Sequence, residues 1–209
     1  MLKIITPEEA AEMLGLETLF LDRGRMTLHW TDYEDTSFVC AMLQSRQRIL
    51  EIGTFYGHTT ENIARFNPSA EIYTVNVTKE MNIKMKLGCQ DGELLSEIES
   101  GKMIQSPNIT KIISTSDEYL EGTGLIFDGI FVDGDHSKEQ VRKDSENSLN
   151  KLKEGGVLVW HDVYNKDAAR CPKTGCEPEW NDVREYLEEA PFQVYKIGCS
   201  WIGFHVKGS

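Results

Sequence analysis

The sequence lacks any long hydrophobic run. No apolar stretch in its 209 residues approaches the roughly 20 that a membrane-spanning helix requires. The opening letters, MLKIITPEEAAEML, have neither the apolar centre of a signal peptide nor the acid-poor character of a transit peptide. We therefore expect neither a membrane partner nor a targeting segment.

Basic residues and paired cysteines are also scarce. The 22 Lys and Arg residues stand against 34 Asp and Glu residues, and the resulting net charge of −12 opposes general binding to nucleic-acid phosphates. The cysteines are Cys40, Cys89, Cys171, Cys176 and Cys199. This odd, scattered set is no disulfide framework and indicates a reducing cytoplasm. A disulfide between Cys171 and Cys176 that closes one loop, or a metal shared by them, is a minor alternative, because a zinc site needs further ligands.

What the chain does contain is typical of a globular protein. Hydrophobic residues make up 40% and charged residues 27%, and the length suits one α/β domain with a sizeable core. No internal repeat or interdomain linker is visible. We expect one structural domain, in which a helical lead-in of residues 1–47 packs on a core of residues 48–209.

The most informative stretch is 127–137, FDGIFVDGDHS. Its apolar run, Gly129 to Val132, predicts a strand buried on both faces, which is typical of parallel sheets under helices. The letters DGDH at 133–136 follow at once, and ligands of open α/β sheets bind at such carboxyl ends. Taken alone, an acidic turn with Ser137 as the cap of the next helix explains these residues equally well.

A second strand–helix unit repeats this pattern. Gly155 and Gly156 turn the chain into an apolar strand, Val157 to Trp160, which ends in His161 and Asp162. Carboxyl ends of parallel strands share one edge of the sheet, so we expect acids and imidazoles of both units to meet there. For His161, a hydrogen-bonded histidine at a strand end without a chemical role is the alternative.

An earlier strand ends in a glycine turn, within ILEIGTFYGHTTENIARF. Gly53 permits a tight turn after the strand Arg48 to Ile52, and Gly57 would let the backbone approach a ligand. The spacing G-x-x-x-G matches neither the dinucleotide-binding motif nor the P-loop. Glu51 beside this turn would repel a pyrophosphate and favour a cationic ligand.

The other elements follow from periodicity and capping. Thr6, Pro7 and Glu9 predict the start of a helix over 6–16. Further helices are predicted over 35–45, 85–100, 137–152 and 180–190, and further strands over 71–77, 109–113, 192–197 and 200–206. The irregular segment 163–179 predicts a lid or substrate loop, with an exposed connection as the alternative. The polar run 114–117 either lines a pocket or starts a short helix capped by Ser116.

The motifs resemble a known family. ILEIGTFYGHTT resembles the first motif of the class I S-adenosylmethionine-dependent methyltransferases. FDGIFVDGDHSKEQVRKD, followed by LKEGGVLVWHDV, looks like their small-molecule O-methyltransferase branch, and the match covers about Ile49 to Val163. The resemblance implies a doubly wound, mostly parallel seven-stranded α/β sheet with helices on both faces and an antiparallel last strand.

The resemblance also implies a site for S-adenosylmethionine. Its amino-acid part would lie at the glycine turn, its ribose at Asn76, which replaces the usual acid, and its adenine near 115–117. The implied cofactor contacts are Glu51, Gly53, Thr54, Phe55, Tyr56, Gly57, Thr59, Asn76, Val77, Thr115, Ser116, Asp117, Asp133, Gly134 and His136.

The implied reaction is methylation of a hydroxyl on a small-molecule acceptor. Asp135 or His136 would take the proton of the hydroxyl. Metal-dependent relatives imply that Asp133, His161 and Asp162 hold Mg²⁺ or another divalent cation. Because Mg²⁺ prefers oxygen, a softer ion, a substrate contact by His161, or no metal are alternatives.

Two other classes of function compete. A nicotinamide- or nucleotide-binding oxidoreductase is disfavoured by the glycine spacing and Glu51. A methyltransferase-like protein that binds S-adenosylmethionine without transferring the methyl group is favoured by Asn76. A homodimer is left open.

Overall fold

An eight-stranded sheet with helices on both faces forms the protein. The computed structural model describes residues 2–27, 33–85, 94–164, 181–198 and 200–208. The strands are β1 (Leu2–Ile5), β2 (Arg48–Ile52), β3 (Glu71–Asn76), β4 (Ile109–Ile113), β5 (Phe127–Val132), β6 (Leu152–Trp160), β7 (Val194–Ile197) and β8 (Gly203–Val206). The helices are α1 (Pro7–Leu14), α2 (Tyr33–Met42), α3 (His58–Phe66), α4 (Lys79–Met85), α5 (Ser116–Gly122), α6 (Lys138–Lys151) and α7 (Asn181–Glu189), with a 3₁₀ turn at Arg23–Arg25.

The strand order is β1-β7-β8-β6-β5-β2-β3-β4. All neighbouring strands run parallel except β8, which is antiparallel to both β6 and β7. The chain winds outward from β2 through β3 to β4, and then returns to β5 on the other side of β2. The point between β2 and β5 is therefore the topological switch point, where doubly wound sheets bind ligands.

The central strands are apolar because both of their faces are covered. In β2, β5 and β6, the residues Ile49, Phe131 and Val159 face a core shared with α1, α2 and α3. Their neighbours, such as Leu50 and Leu158, face a second core shared with α5, α6 and α7. Each fully buried side chain of this kind contributes about 1.5–3 kcal/mol, so both cores stabilise the sheet.

The first helix begins as its sequence predicts. The Thr6 hydroxyl accepts a hydrogen bond from the Glu9 backbone N–H (3.2 Å), and the Glu9 carboxylate accepts one from the Thr6 N–H (2.8 Å). Pro7 occupies the first turn, and Gly15 ends the helix in a left-handed conformation (φ +67°). This reciprocal cap satisfies two backbone donors that the helix itself leaves unpaired.

Two predictions about the fold need correction. The sheet has eight strands rather than seven, because Leu2–Ile5 pairs in parallel with β7. The helix predicted over 85–100 is wrong over residues 94–100, which form no helix, while residues 86–93 lie outside the described residues. Instead, the following residues fold over the glycine turn, where the Gly101 N–H donates to the Phe55 carbonyl oxygen (2.8 Å) and the Met103 N–H to that of Tyr56 (3.0 Å). These tertiary contacts outweigh the local helical period.

Some predictions fall outside the described residues. They include most of the predicted lid, from residue 165 onward, together with the pair Cys171 and Cys176. No helix in the described ranges combines the length and the apolar character that crossing a bilayer demands.

Candidate active site

Three parallel strands end side by side at one edge of the sheet. Ile52 is in register with Val132, and Val132 with Trp160. The Asp133 N–H donates to the Ile52 carbonyl oxygen (2.8 Å), and the His161 N–H to that of Val132 (3.1 Å). The polar residues that follow β2, β5 and β6 are therefore neighbours, as the repeated strand–helix pattern predicts.

The glycines at this edge are required by the protein's own packing. A Cβ at Gly53 (φ +101°) would lie 1.9 Å from the Asp133 carbonyl oxygen. A Cβ at Gly57 (φ +86°) would lie 2.7 Å from Cγ1 of Ile104. The Cβ side of Gly57 thus contacts protein, and an approach of its backbone to a ligand stays a prediction. Gly134 lies beside Ile52: a Cβ at Gly134 would lie 3.3 Å from Cγ2 of Ile52.

Glu51 is sealed beneath the glycine turn. Its side chain is buried, and the hydroxyls of Thr60 and Thr74 donate to its Oε2, the latter at 2.6 Å. Burial raises the pKa of Glu51 to about 8, despite these hydrogen bonds. Glu51 therefore ties β2 to β3 and α3, and its carboxyl group is largely neutral at pH 7. The prediction that it attracts a cationic ligand is not supported by this geometry.

A cluster of three carboxylates and two imidazoles occupies the ends of β5 and β6; we call it the rim cluster. Nδ1 of His161 lies 3.0 Å from Oδ2 of Asp162 and 3.5 Å from Oδ1 of Asp133. Nε2 of His161 lies 3.7 Å from Oδ2 of Asp35, and Nε2 of His136 lies 2.9 Å from Oδ2 of Asp162. His136 is the outermost imidazole, with 31% of its side chain exposed against 10% for His161.

Charge pairing dominates the electrostatics of the rim cluster. Burial alone would lower the pKa of His161, but the charges of Asp162 and Asp133 outweigh burial and hold it well above the usual range. Burial alone would raise the pKa of Asp162, but the charge of His161 and the hydrogen bond from His136 hold it far below the usual range. Asp133 keeps a raised pKa because of burial and of the neighbouring Asp162. The edge thus carries fixed charges of both signs.

The backbone at Asp162 is strained. Its φ of +58° lies in the left-handed region, which residues other than glycine adopt at a cost of order 1–3 kcal/mol. This conformation turns the chain sharply after β6 and directs the carboxylate toward both histidines. Such strain concentrates at functional positions.

The two residues predicted as catalytic differ in their surroundings. Oδ1 of Asp135 accepts a hydrogen bond from the Ser137 N–H (2.7 Å), so this exposed carboxylate caps the start of α6. Ser137 itself makes no side-chain cap bond. His136 contacts Asp162 and is therefore not merely a helix cap. Of the two, His136 is the one held within the rim cluster.

The donor set suits a divalent cation. Among the described residues, Asp133, His136 and Asp162 offer ligand atoms that all lie within 4.8 Å of one another. The set contains His136 where the predicted ligand set has His161. Two carboxylates with one imidazole fit Mn²⁺, Fe²⁺ or Zn²⁺ better than Mg²⁺.

The residues predicted near the adenine are engaged inside the protein. The Thr115 side chain caps α5 by accepting from the Glu118 N–H. The Ser116 hydroxyl donates to Asp144 on α6 (2.5 Å), and Asp117 accepts from Asn147 on the same helix (2.9 Å). Thr115 rather than Ser116 is thus the cap, and side-chain contacts of the three to a cofactor stay predictions.

The residues around the glycine turn have mixed surroundings. Thr54 is buried, with its hydroxyl 2.6 Å from that of Thr74. Phe55 is 47% exposed and has a left-handed backbone (φ +45°). The Tyr56 ring lies under Nζ of Lys102, 4.1 Å from the centroid. Phe55 is therefore the apolar side chain that this turn leaves open to a ligand.

Asn76 lies at the end of β3, as expected. Its Nδ2 donates to the Val77 carbonyl oxygen (3.0 Å) and to the Ser100 hydroxyl (3.1 Å). Asn76, Val77 and Thr59 are half-buried. A contact of Asn76 with a ribose stays a prediction.

Sequence reasoning missed Asp35 and Trp201. Asp35 lies on α2, which carries no recognisable motif, and it reaches the rim cluster from the lead-in segment. The Trp201 N–H donates to Oδ1 of Asp35 (3.3 Å), and its ring lies 6.2 Å from that of His161. No sequence signal singles out Asp35, because acids are common in the first turn of a helix.

Two open pockets among the described residues lie away from this edge. They have volumes of about 310 and 320 Å³ and flank Pro7 at the start of α1. Neither contains a titratable cluster like the rim cluster, so we place the candidate site by its chemistry at the strand ends.

Comparisons with known proteins agree with this fold. Residues 50–163 match a family model described as a methyltransferase domain. Since that match covers more than half of the chain, the protein belongs to this methyltransferase family. A comparison with curated protein sequences gives no match.

Solved structures share the whole architecture. SAH-bound methyltransferase PaMTH1 of Podospora anserina is 18% identical, with a TM-score of 0.61 over 97% of this chain and 87% of that one. The O-methyltransferase from Bacillus cereus in complex with SAH is 18% identical, with a TM-score of 0.55 over 96% and 90%. O-methyltransferase TomG from Streptomyces achromogenes, in complex with SAM, is 19% identical, with a TM-score of 0.51 over 96% and 87%. The predicted Rossmann-like methyltransferase fold is confirmed.

Proposed function

We propose that this protein transfers the methyl group of S-adenosylmethionine to a hydroxyl group of a small molecule, with His136 as the general base. The observation that carries the proposal is the contact between Nε2 of His136 and Oδ2 of Asp162 (2.9 Å) at the switch-point edge of a methyltransferase fold. The family match also favours transfer over the oxidoreductase alternative.

The charge of the edge supports a cationic cofactor. S-adenosylmethionine carries a sulfonium and an ammonium group, which an acidic rim attracts. Asp133 supplies this charge rather than Glu51, because Asp133 lies at the strand end with 22% of its side chain exposed, whereas Glu51 is sealed in. Two solved neighbours were crystallised with SAH and one with SAM, which points the same way.

Asp162 determines which nitrogen of His136 acts as the base. Nε2 of His136 lies 2.9 Å from Oδ2 of Asp162, and the proposal requires that Asp162 accept its hydrogen and so hold the proton of the neutral imidazole on this nitrogen. Nδ1 is then the nitrogen that accepts a proton. A base held in one tautomer and orientation contributes about 10²- to 10⁴-fold to the rate.

The proposed step is an in-line displacement. The acceptor oxygen forms a bond to the methyl carbon as the carbon–sulfur bond breaks, and the sulfur keeps the bonding electron pair. The hydroxyl proton passes to Nδ1 of His136, and S-adenosylhomocysteine leaves as a neutral thioether. Because the sulfonium is already reactive, the protein mainly aligns the two reactants and removes the proton.

We propose that a divalent cation, where one is used, binds Asp133, His136 and Asp162, in which case His136 serves as a ligand instead of the base and the ion activates the acceptor hydroxyl. Such an ion would lower the pKa of the acceptor hydroxyl. Adding Mn²⁺ to chelator-treated protein should then raise the thermal midpoint of unfolding, and Asp162→Asn should abolish that rise. An unchanged thermal midpoint would reject the metal proposal, and the mechanism with His136 as the base would still stand.

The deciding experiment combines binding with turnover. Calorimetry with S-adenosylmethionine tests the cofactor, and transfer of a labelled methyl group to a panel of phenols and catechols tests the reaction. His136→Gln should lower turnover at least about 100-fold while the cofactor binds as before. Binding without transfer to any hydroxyl acceptor would favour the non-catalytic alternative, and no binding would reject the proposal.

A further inference from the structure

Asp35 connects the lead-in helix to the chemistry of the strand ends. It is buried, with 5% of its side chain exposed, and it lies outside both motifs at the strand ends. One carboxylate oxygen accepts from the Trp201 N–H (3.3 Å), and the other lies 3.7 Å from Nε2 of His161. Burial of an acid is unfavourable unless a specific partner compensates, so this placement calls for a role.

His161 is held from both sides of its ring. Nε2 faces Asp35, while Nδ1 faces Asp162 at 3.0 Å and Asp133 at 3.5 Å. The ring therefore lies between carboxylates on both sides, one from α2 and two from the strand ends. The ring of Phe131 lies edge-on to it, with 6.5 Å between the centroids, which leaves it little freedom to rotate.

The contacts form an alternating series of acid and imidazole. Oδ2 of Asp162 lies 3.0 Å from Nδ1 of His161 and 2.9 Å from Nε2 of His136. The series Asp35–His161–Asp162–His136 therefore runs from the buried helix α2 to the half-exposed histidine. Each member is oriented by the one before it.

We infer that Asp35 and His161 are positioning residues, which fix the Asp162 carboxylate and through it the ring of His136. The inference rests on the proposed function only in that His136 is the base; the geometry of the series stands without it. The competing explanation is that Asp35 merely anchors the Trp201 backbone. The two differ in whether a change at Asp35 reaches His136.

The test reads the His136 ring directly. Protein labelled with ¹⁵N-histidine and kept in chelator has five histidines, whose ring signals can be assigned by single substitutions. Asp35→Asn keeps an oxygen for the Trp201 N–H and removes the charge that faces His161. We expect the His136 signals to change from a single Nε2–H form to a mixture of tautomers. Glu34→Gln, one residue earlier in α2, controls for the loss of an acid from the first turn and should leave those signals unchanged.

Turnover gives a second readout. Asp35→Asn should lower kcat about 10- to 100-fold, with the KM for S-adenosylmethionine changed less than about twofold. Anchoring of the Trp201 backbone alone predicts unchanged His136 signals. A fall in turnover with unchanged signals would therefore overturn the inference while the proposed function stood. Changed signals in a protein that transfers no methyl group would support the series and reject the function.

A double-substitution cycle separates the series from independent effects. Because Asp35 acts through His161, Asp35→Asn should change the His136 signals no further in a His161→Gln background. If Asp35→Asn and His161→Gln change the His136 signals additively, the inference is overturned. If Asp35→Asn does not fold, His161→Gln alone decides: it must alter the His136 signals, and unaltered signals reject the series.

Discussion

Two buried acids at the same edge of the sheet are stabilised in opposite ways. Glu51, at the end of β2, is surrounded by threonine hydroxyls, and burial raises its pKa to about 8. Asp162, just after β6, is surrounded by two histidines that hold its pKa far below the usual range. Glu51 is therefore neutral because it keeps its proton, whereas Asp162 stays ionised because two histidines pair with it.

This difference assigns the two acids different roles: Glu51 holds strands together, whereas Asp162 orients imidazoles. A protonated carboxyl group can hold strands together, but it cannot orient an imidazole as a counter-ion does. A carboxylate paired with imidazoles can do so, at the cost of a strained backbone and of partners that must all be present. The comparison therefore predicts that equivalent amide substitutions at the two acids have unequal effects.

The largest effect is expected at Asp162. Asp162→Asn tolerates the left-handed backbone but leaves the imidazolium of His161 short of a partner, which typically costs about 3–5 kcal/mol of unfolding free energy for a buried ion pair. Urea unfolding at pH 7 measures the change. Glu51→Gln is the matched control, and it should cost less than about 1 kcal/mol because little charge is lost there. Equal losses at both acids would contradict the comparison.

A smaller effect is expected at the glycine where the two regions touch. Gly53→Ala would place a Cβ 1.9 Å from the Asp133 carbonyl oxygen at a φ of +101°. Strain and displacement should lower the unfolding free energy by about 2–3 kcal/mol. Gly124→Ala is the control, because a Cβ there meets nothing within 4 Å. A stable Gly53→Ala protein would show that the two strand ends are not in close contact.

The last effect is a change of stability with pH, spread over several pH units. Native Glu51 holds its proton up to a pH of about 8, whereas the unfolded chain releases it near 4.5, the ordinary pKa of glutamate. The native state thus binds more protons across this window, so the unfolding free energy falls as pH rises, by up to about 1.4 kcal/mol per pH unit. Glu51→Gln removes this contribution.

Thermal unfolding of both proteins from pH 4 to pH 9 measures that contribution. The advantage of the variant should be absent at the acid end, grow through the window, and level off above a pH of about 8. Parallel profiles would show that Glu51 is ionised in the folded protein.

The rim could be predicted because its signals are local. The polar letters of DGDH and HD follow apolar runs immediately, and parallel strands bring their carboxyl ends together. Asp133, His136, His161 and Asp162 are accordingly close in space. Asp35 could not be predicted, since its contact with His161 depends on how α2 packs on the sheet, and no short-range pattern encodes that.

The errors in the fold have the same origin. Leu94, Leu95 and Ile98 suggest a helical period, yet Ile98 is 90% exposed and the segment turns back over the glycine loop. The strand β1 is four residues long and pairs with β7 near the other end of the chain. Contacts between residues far apart in sequence override the local helical preference at 94–98 and create a strand at 2–5 that local preference does not specify.

The turn at Asp162 places two demands on a single position. The side chain must be an anion of the right length, and the backbone must accept a conformation that most residues avoid. Glutamate meets the first demand poorly and the second hardly at all, while asparagine and glycine meet only the second. Few residue types other than aspartate therefore suit this position, because charge and backbone are constrained together.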